Sequence, residues 1–144
     1  CFSERKIKKE YLAITLGSPK AQTINAPIGR NPHHRKEMAV QEKNGKEAIT
    51  KVHLIKKGPV FSLISAQPIT GRTHQIRVHL KSIKTPVLGD NTYGSIKTNR
   101  KMQTTRLLLH AFKVEFPHPI TGEKINLCAD LPEEFTNESY GISS

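Results

Sequence analysis

Alternation of side chains with a period of two is the feature that most constrains what this chain can fold into. It runs from Glu10 to Leu16, where Leu12, Ile14 and Leu16 share one face, and again from Glu47 to Leu54. Such a period predicts β-strands with two distinct faces. Residues 60–66 are apolar on both faces, which is typical of a strand in the middle of a sheet. Further strands are predicted at 107–116 and 124–129.

Turn-forming residues separate these strands. Asn44-Gly45 and Gly58-Pro59 are typical of short hairpin or loop connections, so antiparallel pairing is expected. The stretches 29–36 and 97–106 are basic and are expected to be loops.

A single segment, Thr73 to Lys84, has the period of a helix. Ile76, Leu80 and Ile83 are spaced to form one apolar seam that packs on the sheet. Thr73 is the predicted N-cap, and Pro86 ends the segment. The predicted fold class is therefore α+β, a mixed and largely antiparallel sheet with packed helices. A second, basic seam of the helix carries His74, Arg77, Lys81 and Lys84.

The charge of the chain is strongly positive. Lys and Arg number 23 against 12 acidic residues, a formal net charge of +11 over 144 residues. Because the excess recurs along the whole chain, we expect a polyanionic partner, nucleic acid above all. A basic surface with no partner is the alternative.

Other classes of protein fit less well. No apolar run is long enough to cross a membrane and no signal peptide opens the chain. The two cysteines fit no metal site, and free thiols are expected. We therefore expect a cytoplasmic protein without a bound metal. His74 and His79 are poorly spaced for a shared metal, and two aspartates are too few for a metal-dependent nuclease.

The most specific stretch is 71–80, GRTHQIRVHL. It combines a glycine turn with the start of a helix and carries Arg72, His74 and Arg77. Free N–H groups at a helix start favour anions, and guanidinium groups grip phosphates or carboxylates with two hydrogen bonds. A solvated basic face would give the same composition, so the pattern alone leaves both interpretations open.

This stretch closely resembles a signature motif of the RluA-type pseudouridine synthases, and four other segments resemble that family in its order. They are residues 9–13 (KxYxA), 87–94 (LGDxxYG), 108–119 (LHA…F.HP) and 131–132 (LP). The resemblance implies a mixed β-sheet core and the isomerisation of uridine to pseudouridine in structured ribosomal or transfer RNA, without a cofactor. A non-catalytic RNA-binding domain, or pseudoenzyme, of the same fold is the alternative.

The resemblance also implies roles for individual residues. In the family, an aspartate is the nucleophile. Arg77 would pair with it and favour its ionised form, and Tyr11 would contact the flipped uracil and assist removal of the C5 proton. We expect RNA contacts from Arg35, Lys36, Arg72, His74, Lys81, Arg100 and Lys101.

The chain departs from the family at the nucleophile. The family's HRLDxxTSG motif precedes the KxYxA segment, and the only two aspartates here, Asp90 and Asp130, lie elsewhere. Asp90 belongs to the LGDxxYG turn, where a structural role is favoured. We therefore expect residues 1–144 to be part of a catalytic domain whose nucleophile lies before Cys1 or is absent altogether, with 136–144 a frayed tail. The upstream segment or a neighbouring copy is expected at the open sheet edge.

Overall fold

The computed structural model describes residues 7–104 and 106–129, so the expected frayed tail at 136–144 lies outside the described residues. The strands are β1 (Lys8–Leu16), β2 (Gln22–Asn25), β3 (Ile28–Arg30), β4 (Met38–Val40), β5 (Ile49–Lys57), β6 (Phe61–Pro68), β7 (Leu109–Pro117) and β8 (Lys124–Cys128). The helices are α1 (Gln75–Ser82) and α2 (Ile96–Lys101).

Six of the strands form one sheet in the order β2-β5-β6-β1-β7-β8, and β3 pairs with β4 in a separate hairpin. Every strand pair among the described residues is antiparallel, which confirms the largely antiparallel sheet. The strand that is apolar on both faces, β6, lies inside the sheet between β5 and β1, as its sequence predicted. The edges of the six-stranded sheet are β2 and β8.

The two faces of β1 each contribute to a core, because successive side chains point to opposite sides of a strand. Leu12 and Ile14 pack on one face with buried residues that include Leu88 and Leu108. Ala13 packs on the other face, where α1 covers the sheet. The helix seam predicted from the sequence is confirmed there: Ile76 and Leu80 are buried in this second core, and Ile83 packs against it.

The predicted bounds of α1 need correction at its start. The residue that precedes the helix is His74, not Thr73, and no side chain caps it. His74 adopts a left-handed conformation with φ 54°, which is uncommon for a residue with a side chain. Long-range hydrogen bonds of Gln75 fix the turn instead, as described below. Lys84 is also left-handed, with φ 64°, and lies beyond the end of the helix.

The stretch 97–106 is not wholly a loop, because α2 occupies its first half. Ser95 caps α2 by accepting a hydrogen bond from the Thr98 N–H. The buried side chain of Asn99 ties the helix to the preceding loop, since it accepts from the Gly89 N–H at 2.8 Å and donates to the Asp90 carbonyl at 3.1 Å.

The loop between the helices is held against the sheet by its backbone. Leu88 donates to the Ile14 carbonyl at 2.8 Å and accepts from the Leu108 N–H at 3.0 Å. Gly89 has φ 85°, and a Cβ atom there would lie 1.9 Å from the Arg106 carbonyl oxygen. Only glycine fits this position, and the tight turn directs Asp90 toward α1. No helix in the described part of the chain is long and apolar enough to span a bilayer.

Candidate active site

A cleft of about 440 Å³ opens between the start of α1 and the face of the sheet that α1 covers. Tyr11 reaches it from β1 and Leu109 from β7, while Arg77 reaches it from the helix. The fold thus brings together the two residues, Tyr11 and Arg77, to which the resemblance assigns catalytic roles. Arg72 and His74 also line the cleft, so four of the expected site residues share one cavity.

Arg77 forms a two-pronged salt bridge with Asp90. Its Nε donates to Oδ2 and its Nη2 to Oδ1, both at 2.9 Å. The Asp90 side chain is fully buried and that of Arg77 is 18% exposed. The hydrogen bond to Asp90 raises the pKa of Arg77 against the opposing effect of burial. Burial acts to raise the pKa of Asp90, but the hydrogen bonds and charge of Arg77, with backbone N–H donors, hold that pKa below its usual value.

The turn that follows Asp90 completes the binding of its carboxylate. Oδ1 also accepts from the backbone N–H groups of Thr92 and Tyr93, at 3.0 and 2.9 Å. This is the structural role in the turn that the sequence indicated for Asp90. Gly94 closes the turn so tightly that a Cβ atom there would lie 2.4 Å from the Asp90 carbonyl oxygen. The guanidinium of Arg77 is therefore fixed by a rigid, buried anion.

Tyr93 supports the same guanidinium from beneath. The Arg77 guanidinium carbon lies 5.0 Å from the centre of the Tyr93 ring, and the Lys81 ammonium lies 5.9 Å from it, within the range of cation–π attraction. The Tyr93 hydroxyl accepts from the Met38 N–H and lies 2.8 Å from His74 Nδ1. A neutral His74 with its proton on Nε2 can accept a hydrogen bond at Nδ1 from this hydroxyl.

The neutral form of His74 is favoured by its surroundings. Burial and the charge of Arg77 lower the pKa of His74, against the opposing effect of Asp90.

Sequence reasoning assigned no role to Tyr93. The signal was present in the LGDxxYG resemblance, which includes this tyrosine, but the local sequence does not reveal its contacts with α1 and β4.

Gln75 fixes the turn that leads into α1. Its Oε1 accepts from Thr70 Oγ1 at 2.7 Å and from the Arg72 N–H at 3.0 Å, and its Nε2 donates to the Ile49 carbonyl and to Thr50 Oγ1. Gln75 makes all four bonds and is only 4% exposed. The buried amide thereby presents Arg72 and His74 at the cleft, and sequence reasoning missed it.

His79 is buried, and both of its ring nitrogens bond to groups within the fold. Its Nδ1 lies 2.7 Å from Thr50 Oγ1 and its Nε2 lies 2.9 Å from the Ala26 carbonyl oxygen. Burial lowers the pKa of His79, although the bond to Ala26 acts in the opposite direction. Among residues 7–104 and 106–129, no group of three or more His, Cys, Asp and Glu side chains could hold a metal ion.

The remaining residues expected to bind RNA are dispersed. Arg35 and Lys36 are exposed in the connection between β3 and β4. Arg100 and Lys101 are in α2, and Arg100 lines a separate depression of about 480 Å³. The cleft therefore gathers Arg72, His74 and Arg77, with Lys81 one turn along the helix.

Comparison with known proteins identifies the family of the chain. The family model described as RNA pseudouridylate synthase matches residues 1–82, a range that includes Tyr11 and Arg77. The chain belongs to the RNA pseudouridylate synthase family. The resemblance inferred from residues 71–80 and the segments around them is therefore confirmed.

Curated relatives from this family match nearly the whole chain. An uncharacterized RNA pseudouridine synthase of Synechocystis is 40% identical over 141 residues, which cover 93% of this chain and 42% of the relative. A ribosomal large subunit pseudouridine synthase D of Neisseria meningitidis is 37% identical over 142 residues, covering 92% of this chain and 38% of the relative. The chain thus spans about two fifths of the length of these relatives.

Solved structures of the family share its fold. Human RNA pseudouridylate synthase domain containing 1 superposes with a TM-score of 0.79 at 32% identity, covering 97% of this chain and 60% of that one. Human RNA pseudouridylate synthase domain containing 4 gives a TM-score of 0.71 at 27% identity, covering 92% and 60%. The predicted pseudouridine synthase fold is confirmed.

Proposed function

We propose that the protein carrying this chain isomerises uridine to pseudouridine in structured RNA, with ribosomal RNA the favoured substrate. The reaction breaks the bond from N1 of uracil to C1′ of ribose, joins C1′ to C5, and moves a proton from C5 to solvent while N1 gains one. The observation that carries the proposal is the cleft itself, in which Tyr11 faces a guanidinium held by Asp90. The family name of the relatives supports the reaction, and one relative's name supports the ribosomal substrate.

Arg77 is proposed to orient the nucleophilic aspartate, which we place outside the 144 residues. Its bonds to Asp90 use Nε and Nη2, and a guanidinium carries five N–H groups in a fixed plane. Donors on the remaining edge can bind a second carboxylate and favour its ionised, nucleophilic form. Asp90 cannot be that nucleophile, since its side chain is fully buried and accepts four hydrogen bonds.

Tyr11 is proposed to contact the flipped uracil and to assist removal of the C5 proton. Extrusion of the target base from its stack lets the cleft reach it. Tyr11 is half-buried at the cleft and packs beside the second core, so its ring is held by the sheet while one side remains accessible to a base.

RNA is proposed to be drawn to this face by its phosphates. Arg72 and His74 are proposed to contact the RNA strand at the cleft, and Lys81 lies on the adjacent turn of α1. The exposed cations Arg35, Lys36, Arg100 and Lys101 are proposed as more peripheral contacts. For the sheet edges at β2 and β8, we propose that an upstream segment of the same protein pairs with one of them, a neighbouring copy being the alternative.

Release of tritium from 5-tritiated uridine in ribosomal RNA tests the proposal. Two proteins are compared: the 144-residue chain and a longer protein that extends upstream through an HRLD-like motif. We expect release from the longer protein alone, because the supporting groups position a nucleophile but cannot replace it. Release by the 144 residues alone would refute the assignment of the nucleophile. Inactivity of both, with RNA binding intact, would favour the non-catalytic RNA-binding domain.

A further inference from the structure

A second cavity, of about 410 Å³, lies on the other side of the 71–73 turn, between that turn and the β3–β4 hairpin. Arg30, Lys46 and Arg72 line it, and none of the lining residues within 7–104 and 106–129 is acidic. We propose that this basic groove binds the sugar-phosphate backbone of single-stranded RNA next to the nucleotide in the cleft. The proposal rests on the proposed function, because it takes the cleft to hold a uridine.

The cations of the groove are held in place by the backbone. Lys46 is paired across from Ile28, with its N–H 2.9 Å from the Ile28 carbonyl oxygen and its own carbonyl 3.0 Å from the Ile28 N–H. Arg30 Nη1 donates to the Arg35 carbonyl at 3.0 Å, and Arg72 Nε donates to the Glu47 carbonyl at 2.7 Å. The guanidinium groups of Arg30 and Arg72 are thus anchored at the groove through carbonyl oxygens, which do not neutralise them. Lys46 is positioned there by its backbone.

The loop that carries Lys46 is closely packed against two neighbouring backbone segments. A Cβ atom on Gly45 would lie 2.4 Å from the Gln41 carbonyl oxygen and 2.8 Å from Pro27. Only glycine fits between these two backbone segments. The wall of the groove is therefore preformed, which lowers the entropic cost of binding a flexible strand.

The size and position of the groove fit one strand and not a duplex. Its volume is at the lower end of the range for small-molecule sites, roughly 300–1,000 Å³, which suits a nucleotide or its backbone. Gly71 and Arg72 line both the groove and the cleft. An RNA strand whose uridine enters the cleft can therefore pass over the turn at Gly71, where Arg72 lies between the two sites. It can then continue into the groove between Arg30 and Lys46.

The groove and the cleft also share a support. Met38 lines the groove, and its N–H donates to the Tyr93 hydroxyl. The same tyrosine ring lies beneath Arg77. The hairpin wall is thereby positioned by the residue that supports the guanidinium at the cleft.

The test measures binding of the chain to a single-stranded oligouridylate of about 12 nucleotides over a salt series. Lys46→Gln and Arg30→Gln are compared with Lys57→Gln, which removes the same charge at the far end of β5. We expect each groove variant to bind more weakly and to reduce the slope of log affinity against log salt by about 0.7, the value for one phosphate contact on a single strand. Lys57→Gln should change neither quantity, and Lys46→Arg should retain wild-type binding.

The outcomes distinguish binding in the groove from diffuse electrostatic attraction to the whole chain. Equal losses in Lys46→Gln and Lys57→Gln, with unchanged thermal melting, would overturn the proposal, as would wild-type binding by both groove variants. Tighter binding of a duplex of the same length would also overturn it. Pseudouridine formation is not the readout. Losses confined to the groove variants support the groove even if the protein forms no pseudouridine, and a groove without effect leaves the proposed reaction intact.

Discussion

Arg77 and Asp90 form a salt bridge in which a fully buried carboxylate holds a guanidinium that reaches the cleft. The family resemblance pairs Arg77 with the nucleophile. The structure adds a second carboxylate, which is already bound within the chain. Arg77 also lies on the basic seam of α1, and the seam by itself gives no reason to expect a role in stability. Its buried partner gives that reason, since an unpaired buried charge is costly.

Asp90→Asn is predicted to destabilise the protein at neutral pH by about 2 kcal/mol, because an amide of the same size loses the charge that Arg77 and two N–H groups bind. The pKa of Asp90 is lowered in the folded protein. Its contribution is therefore complete above the unfolded pKa of about 3.9 and is lost as the pH falls through the lower folded value. Urea denaturation of both proteins at several pH values measures this. A difference that persists undiminished at the lowest pH would contradict the prediction.

Arg77→Lys is predicted to reduce both stability and turnover. Lysine keeps the charge but cannot bond both carboxylate oxygens in one plane, so we expect a loss of about 1–2 kcal/mol in the free energy of unfolding. In the protein that carries the nucleophile, we expect turnover to fall at least about 100-fold with little change in KM for RNA. The control is Lys84→Arg, an exposed exchange beyond the same helix. Turnover close to wild type in Arg77→Lys would show that Arg77 is structural alone.

Tyr93→Phe is predicted to loosen the β3–β4 hairpin. The exchange removes the hydroxyl that accepts from the Met38 N–H and bonds His74, while the ring beneath Arg77 remains. We expect the Met38 amide to exchange with solvent roughly tenfold faster, which corresponds to one lost hydrogen bond. The Glu37 amide donates to the His34 carbonyl and serves as the internal control. Equal acceleration of both amides would indicate general unfolding instead.

His79 is predicted to make stability depend on pH above the carboxylate range. Its folded pKa is lowered by burial, so the folded state holds it neutral. Its contribution is complete above the unfolded value of about 6.5 and is lost as the pH falls through the folded pKa, by up to about 1.4 kcal/mol per pH unit. His79→Gln should flatten the pH dependence below about pH 6.5. His74 has the same direction of shift, so some slope should remain. An unchanged slope would contradict the prediction.

Much of the sheet could be predicted from the sequence because its long strands carry their pattern locally. The alternation in β1 and the apolar run of β6 depend on neighbouring residues only. The strands β2, β3 and β4 have three or four residues each, too few for a period to emerge. The helix α2 has no apolar seam, and its stability depends on Ser95 and on the buried Asn99, whose partners lie in another loop.

The candidate site could be predicted in part, because one of its motifs is a continuous stretch of sequence. The motif at residues 71–80 identified Arg72, His74 and Arg77, which the structure gathers at one cleft. The partner of Arg77 could not be deduced from the helix pattern, because Asp90 is brought to it by the tight turn at Gly89. The left-handed His74 was missed because Gln75, whose bonds reach β5, fixes the start of α1.

Tyr11→Phe separates the proposed chemical role of the hydroxyl from packing of the ring. The ring packs beside the second core, and the strand that carries it is paired on both sides by β6 and β7. Phenylalanine keeps the ring, so folding and RNA affinity should remain close to wild type. If the hydroxyl assists removal of the C5 proton, completion of the isomerisation should slow about 100-fold in the protein that carries the nucleophile, the usual effect of losing a general acid or base. Single-turnover tritium release at saturating RNA measures that step apart from binding. Full activity would show that the hydroxyl moves no proton, and a collapse of the thermal melting temperature would identify Tyr11 as a packing residue of the sheet.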